Sequence, residues 1–113
     1  MRLPTWLSRF KVNFLSIVPF FIYRVVGQSM EPCLHENDIV VALKHSNNFL
    51  NRGSIIIFQK NNLKMIKRIN KIQQNKIEVE GDNSVLSNDS RHFGPLQNNE
   101  IIGKVVWAFH PHR

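Results

Sequence analysis

A compact, mostly antiparallel β fold is predicted for this chain by three features. Runs rich in Ile and Val recur along it, they are too short to stand as independent helices, and clusters of Asn, Ser, Asp, Gly and Pro separate them. At 113 residues there is enough chain for one modest core but not for two domains. From Phe21 onward the order is a strand at residues 39–43 (IVVAL), a loop at 44–53, a strand at 54–58 (SIIIF) and a basic stretch at 60–72. A strand at 76–80 (KIEVE), a long loop at 81–95 and a strand at 101–109 (IIGKVVWAF) complete it. The stretch KNNLKMIKRINKI is ambiguous, because Leu63, Met65, Ile66, Ile69 and Ile72 mix helical and strand periods.

Residues 1–20 form a basic and apolar N-terminal segment, set apart from a single domain at 21–113. The apolar run at 14–23 resembles a signal peptide or anchor, but it has 10 residues, contains Pro19 and is stopped by Arg24. A spanning helix needs about 20 apolar residues. No small-residue cleavage site follows the run, so peripheral contact at a membrane interface is the membrane role expected of it. The formal charge of +7 and pI near 10.1 suit an anionic membrane, a nucleic acid or an acidic protein without choosing among them. The basic patch of Lys60, Lys64, Lys67, Arg68, Lys71 and Lys76 lacks the interleaved aromatics on which single-stranded nucleic acids stack, so no nucleic-acid partner is expected. A lone Cys33 excludes an internal disulfide and points to a reducing, cytoplasmic setting.

Three separated blocks carry the chemistry: Gly27-Gln28-Ser29-Met30-Glu31-Pro32-Cys33-Leu34, then Met65-Ile66-Lys67-Arg68-Ile69, then Gly81-Asp82-Asn83 followed by Ser87, Asp89, Arg91 and Gly94. In this order they resemble the S26 serine peptidases, the type I signal peptidase family, over about two thirds of the chain. The resemblance implies a signal peptidase/LexA-like β fold. Only 12 residues separate Arg68 from Gly81, so no large insertion subdomain is expected.

The residues make chemical sense by themselves. A serine hydroxyl is a weak nucleophile until a base removes its proton. His35, His45, His92, His110 and His112 are candidates, yet no sequence frame ties any of them to Ser29. The resemblance implies instead a Ser-Lys dyad with Ser29 as nucleophile and Lys67 as general base. A lysine does this only if burial lowers its pKa from about 10.4 toward neutrality. Ile66 and Ile69 flank Lys67 and make such a setting credible, and Lys64 is the rival base. By the same resemblance, Ser87 would hydrogen-bond the lysine amine, Asp89 and Arg91 would pair to fix their loop, and Gly81, Asp82 and Asn83 would turn into it. Gly27 would let an extended substrate approach and the Ser29 N–H would help hold the oxyanion. With Gln28, Met30 at the groove edge and Pro32 fixing the turn, these make up the expected substrate groove.

The missing insertion and the style of residues 90–113 resemble most the proteases that remove the N-terminal propeptide of nickel superoxide dismutase. The expected partner is therefore such a precursor, with nickel belonging to the substrate and no metal or cofactor in the enzyme. A minimal signal peptidase acting on signal peptides is the alternative. A self-cleaving repressor domain and a non-catalytic binding module are weaker readings.

Overall fold

Residues 55–58 supply four consecutive apolar side chains, and the architecture follows from what each face of that run needs. The computed structural model describes residues 19–44 and 50–111, and the N-terminal segment at 1–18 lies outside them. Its strands are β1 (Phe20–Arg24), β2 (Ile39–Lys44), β3 (Ile55–Lys60), β4 (Leu63–Gln73), β5 (Lys76–Glu80) and β6 (Ile101–Phe109). They form one sheet in the order β1-β2-β6-β3-β4-β5, antiparallel at every pairing.

Because side chains alternate along a strand, β3 feeds two cores. Ile56 and Phe58 pack with Ile69, Ile77, Val79, Leu96 and Ile101 on one side. Ile57 packs with Val25, Met30, Leu34, Val40 and Ala42 on the other. A strand covered on both faces reads as a continuous apolar run, which is why it is legible. Each large side chain so buried stabilises the fold by roughly 1.5–3 kcal/mol.

The ambiguous basic stretch resolves into a turn and a strand. Asn61 and Asn62 both have positive φ, 52° and 65°, the backbone of a two-residue hairpin turn between β3 and β4. The mixed period of β4 has two causes. Met65 packs on the first core and Ile66 on the second, and the pairing with β5 shifts register between Ile69 and Lys71. Gln74 and Asn75 then join β4 to β5 directly, so no insertion subdomain stands there. The end of the anchor-like run is itself a strand, β1. The expected long loop holds a 3-10 turn (Ser84–Leu86) and a single helical turn, α1 (Ser90–Phe93).

Candidate active site

The segment between β1 and β2 is held down by its own apolar residues. Val25, Met30 and Leu34 are buried in the second core, and Leu34 N–H donates to Met30 O at 2.9 Å. Ser29 is left half-buried on this turn, facing β4. Lys67 reaches it, its Nζ 2.7 Å from Ser29 Oγ, with the lysine only 6% exposed. By strand alternation Lys67 shares a face with Met65 and Ile69 and lies opposite Ile56, an apolar setting. Burial pushes its pKa below the ordinary lysine value, and the charge of Asp89 opposes part of that shift.

The third block braces this contact. Asn83 N–H donates to the Ser29 carbonyl at 2.8 Å. Gly81 packs so tightly that a Cβ there would lie 2.6 Å from Ser29 O and would collide with Ser87. Only a glycine fits. Gly81 N–H donates to Ser87 Oγ at 3.1 Å and to Asp89 Oδ2 at 3.0 Å. Asp89 is fully buried, and Arg91 donates to it through Nε at 2.8 Å and Nη2 at 3.0 Å, the expected ion pair. Burial would raise the Asp89 pKa, but hydrogen bonds from Arg91, Ser87 and Gly81 outweigh it and hold the carboxyl well below the usual carboxylate range.

Other expected placements differ. The Ser87 hydroxyl donates to Asp89 Oδ2 at 2.7 Å rather than bonding the lysine amine, because the ionised carboxylate beside it is the stronger acceptor. Met30 does not edge a groove. It is 1% exposed in the second core, where its long apolar side chain anchors the turn that carries Ser29. Gly27 has φ of 84° with open space around it, so backbone conformation explains the glycine. Gln28 and Pro32 are exposed.

The groove beside the serine has a volume of about 330 Å3 and different walls from those expected. Tyr23, Arg24, Val25 and Val26 form one side, and Lys64, Met65, Ile66 and Lys67 the other, with Val40 and Ile57 between them. Arg68, next to Lys67 on β4, projects to the opposite side of the strand. It makes a two-pronged ion pair with Asp82, both contacts at 2.8 Å, and donates to Gly53 O, tying the Gly81–Asn83 turn to β4. The three histidines within the described residues are engaged elsewhere: His35 Nδ1 lies 3.4 Å from Glu31 Oε1, His92 accepts from Asp89 N–H at 3.4 Å, and His110 Nδ1 lies 2.7 Å from Asp38 Oδ2.

The profile of the family described as Peptidase S24-like matches residues 11–106, most of the chain. The chain belongs to this family. Two curated proteins are similar to this S24-like peptidase. It is 31% identical to mouse mitochondrial inner membrane protease subunit 1, over 113 aligned positions covering 74% of this chain and 67% of that protein. It is 42% identical to signal peptidase I V of Bacillus subtilis over 43 positions, 38% of this chain and 26% of the relative. The expected serine peptidase of signal peptidase type is thus met at the level of family. Neither relative is a superoxide dismutase maturation protease.

Proposed function

We propose that this peptidase is a serine endopeptidase in which Ser29 is the nucleophile and Lys67 the general base, and that it removes an N-terminal segment from a precursor protein. The observation that carries the reading is the 2.7 Å approach of a buried lysine amine to a serine hydroxyl at the end of a groove. With the amine neutral, the same contact runs from hydroxyl to nitrogen. Lys67 then accepts the proton as Oγ attacks the scissile carbonyl. The oxyanion gathers beside Ser29, whose N–H has no acceptor among the described residues and is free to donate. The lysine ammonium returns its proton to the departing amine, and the neutral amine then draws a proton from the water that cleaves the acyl-enzyme.

Substrate binding follows from the sheet. β5 pairs with β4 only from Arg68 onward, so residues 64–67 keep an edge not paired by β5. An extended peptide can add to that edge as a further strand, with its side chains against Val26, Met65 and Ile66. These surfaces favour apolar side chains near the scissile bond.

The style of residues 90–113 supports the propeptide of a nickel superoxide dismutase as substrate, and the likeness to signal peptidase I V supports a signal peptide. Purified protein offered both precursors, with products sized by mass spectrometry, separates them. Ser29→Ala is expected to lower cleavage of the true substrate by about 10^4-fold or more. Unreduced cleavage in that variant would sink the dyad.

Membrane contact has support of its own. Phe20, Ile22, Leu43, Trp107 and Phe109 are exposed, and the pairings Phe20↔Leu43, Ile22↔Val41↔Trp107 and Ile39↔Phe109 put them on one sheet face. Trp107 and Phe109 stack at 6.0 Å. No helix of the described residues is long and apolar enough to cross a membrane, so this face would lie on the interface. Sedimentation with anionic vesicles is expected to carry the protein down, several-fold less for Trp107→Ser. Equal recovery of both proteins in the supernatant would remove the reading.

A further inference from the structure

The groove carries a charge pattern that the proposed chemistry does not use. Its lining includes Arg24, Lys64 and Lys67 and no carboxylate. Lys67 is occupied with Ser29. Lys64 is exposed on the β4 wall, and its Nζ lies over the ring of Tyr23 on the opposite wall, 5.5 Å from the centroid. A cation on one wall therefore reaches an aromatic on the other and closes across the groove away from the serine. A cleft lined by one sign of charge, with apolar walls, concentrates its field on whatever enters.

Resting on the peptidase reading, we propose that Lys64 is a specificity residue that selects substrates with an acidic side chain about three residues from the scissile bond. The register sets the distance. Lys64 and Lys67 are three residues apart on one strand that rises about 3.3 Å per residue, so their backbone positions lie about 10 Å apart with side chains on opposite faces, and a substrate residue paired opposite Lys64 shares the face of Lys64. An extended substrate lying along the same edge advances at the same rate. A carboxylate at the Lys64 station exchanges a weak cation-π contact for an ion pair and lets the Tyr23 ring pack on the peptide. A lysine there would meet like charge with no acid in the groove lining to relieve it.

The test uses short Ala/Val peptides carrying one Glu, Gln or Lys at each position in turn, with wild type, Lys64→Gln and Lys64→Glu. The expected result is a preference for Glu over Gln of about three- to fivefold at one position near the third from the cut, larger against Lys, and shrinking as salt rises. It is expected to vanish in Lys64→Gln and to turn toward Lys in Lys64→Glu. Binding of the same labelled peptides to Ser29→Ala protein is read in parallel by fluorescence anisotropy. Absence of cleavage with retained Glu-selective binding would count against the proteolytic reading and support this one. Equal handling of Glu, Gln and Lys, a preference that Lys64→Glu leaves in place, or no measurable binding of any peptide overturns it.

Discussion

Lys67→Met is expected to abolish cleavage while leaving the protein at least as stable as the parent at neutral pH. Methionine nearly matches lysine in length and volume but offers no base, so kcat/KM should fall by about 10^2- to 10^4-fold, the range for removing a positioned general base. Stability should move the other way. Lys67 is 6% exposed and its pKa is lowered by burial, so the folded state resists its protonation. A depressed folded pKa means that the stability linked to this group is fully present above the unfolded value, about 10.4, and is lost as pH falls through the folded value. At neutral pH this shift is therefore a cost to the fold, partly offset by the charge of Asp89, and methionine removes it. The same shift fixes the pH profile. Cleavage should rise with pH through a pKa below that of ordinary lysine, as the amine becomes able to accept the Ser29 proton. Lys67→Arg cannot lose its proton in this range and should stay inactive throughout. Initial rates across pH, paired with urea melts of the three proteins, check both halves. Full activity in Lys67→Met would remove the general-base role.

How much of this could be read beforehand depended on the range of the interaction. β3 was legible because its four apolar residues serve two cores in succession. β1 was hidden inside a run that resembles an anchor, since exposed Phe20 and Ile22 and half-buried Phe21 and Tyr23 are all apolar and leave no alternation. The stretch from Lys60 to Ile72 looked ambiguous because an Asn-Asn turn and a shift of register each break the period that strand recognition needs. The Asn61-Asn62 pair, a residue type that tolerates positive φ, was the available signal for the first of these.

The approach of Lys67 to Ser29 spans 38 positions, and no periodicity carries such a contact. Only the ordered motif blocks brought the two residues together beforehand. What those blocks left open was the placement of supporting side chains. The motif suggested that Ser87 bonds the lysine amine, whereas its hydroxyl donates to the buried, charged Asp89. Met30 looked like a groove residue by position, but an apolar side chain of that size stabilises more inside the core than at its rim. The ion pair of Arg68 with Asp82, and the contact of Asp38 with His110 across 72 positions, needed the fold itself.

Asp89→Asn should separate a structural brace from an electrostatic one. The carboxylate has no exposure and accepts from Arg91, the Ser87 hydroxyl and the Gly81 N–H. Asparagine offers one oxygen and a donor amide in its place, so either the Oδ1 side taken by Arg91 or the Oδ2 side shared by Gly81 and Ser87 meets the amide and loses its acceptor. An unsatisfied buried group of this kind costs about 1–3 kcal/mol, which a urea melt resolves. The depressed pKa of Asp89 sets the sign of the pH dependence. The stability it brings is present above the unfolded value, about 3.9, and is lost as pH falls through the lower folded value. The parent should therefore weaken toward strong acid more steeply than the variant. Catalysis provides the discriminating readout. The Asp89 charge raises the affinity of Lys67 for its proton, so neutralising it should move the rising limb of the rate profile to lower pH. Maximal rate should also fall, because Asp89 holds Gly81, and Asn83 two residues on holds the Ser29 carbonyl. A lower rate with an unmoved limb would make Asp89 a brace alone. A moved limb shows that the buried carboxylate sets the pH at which the lysine can act.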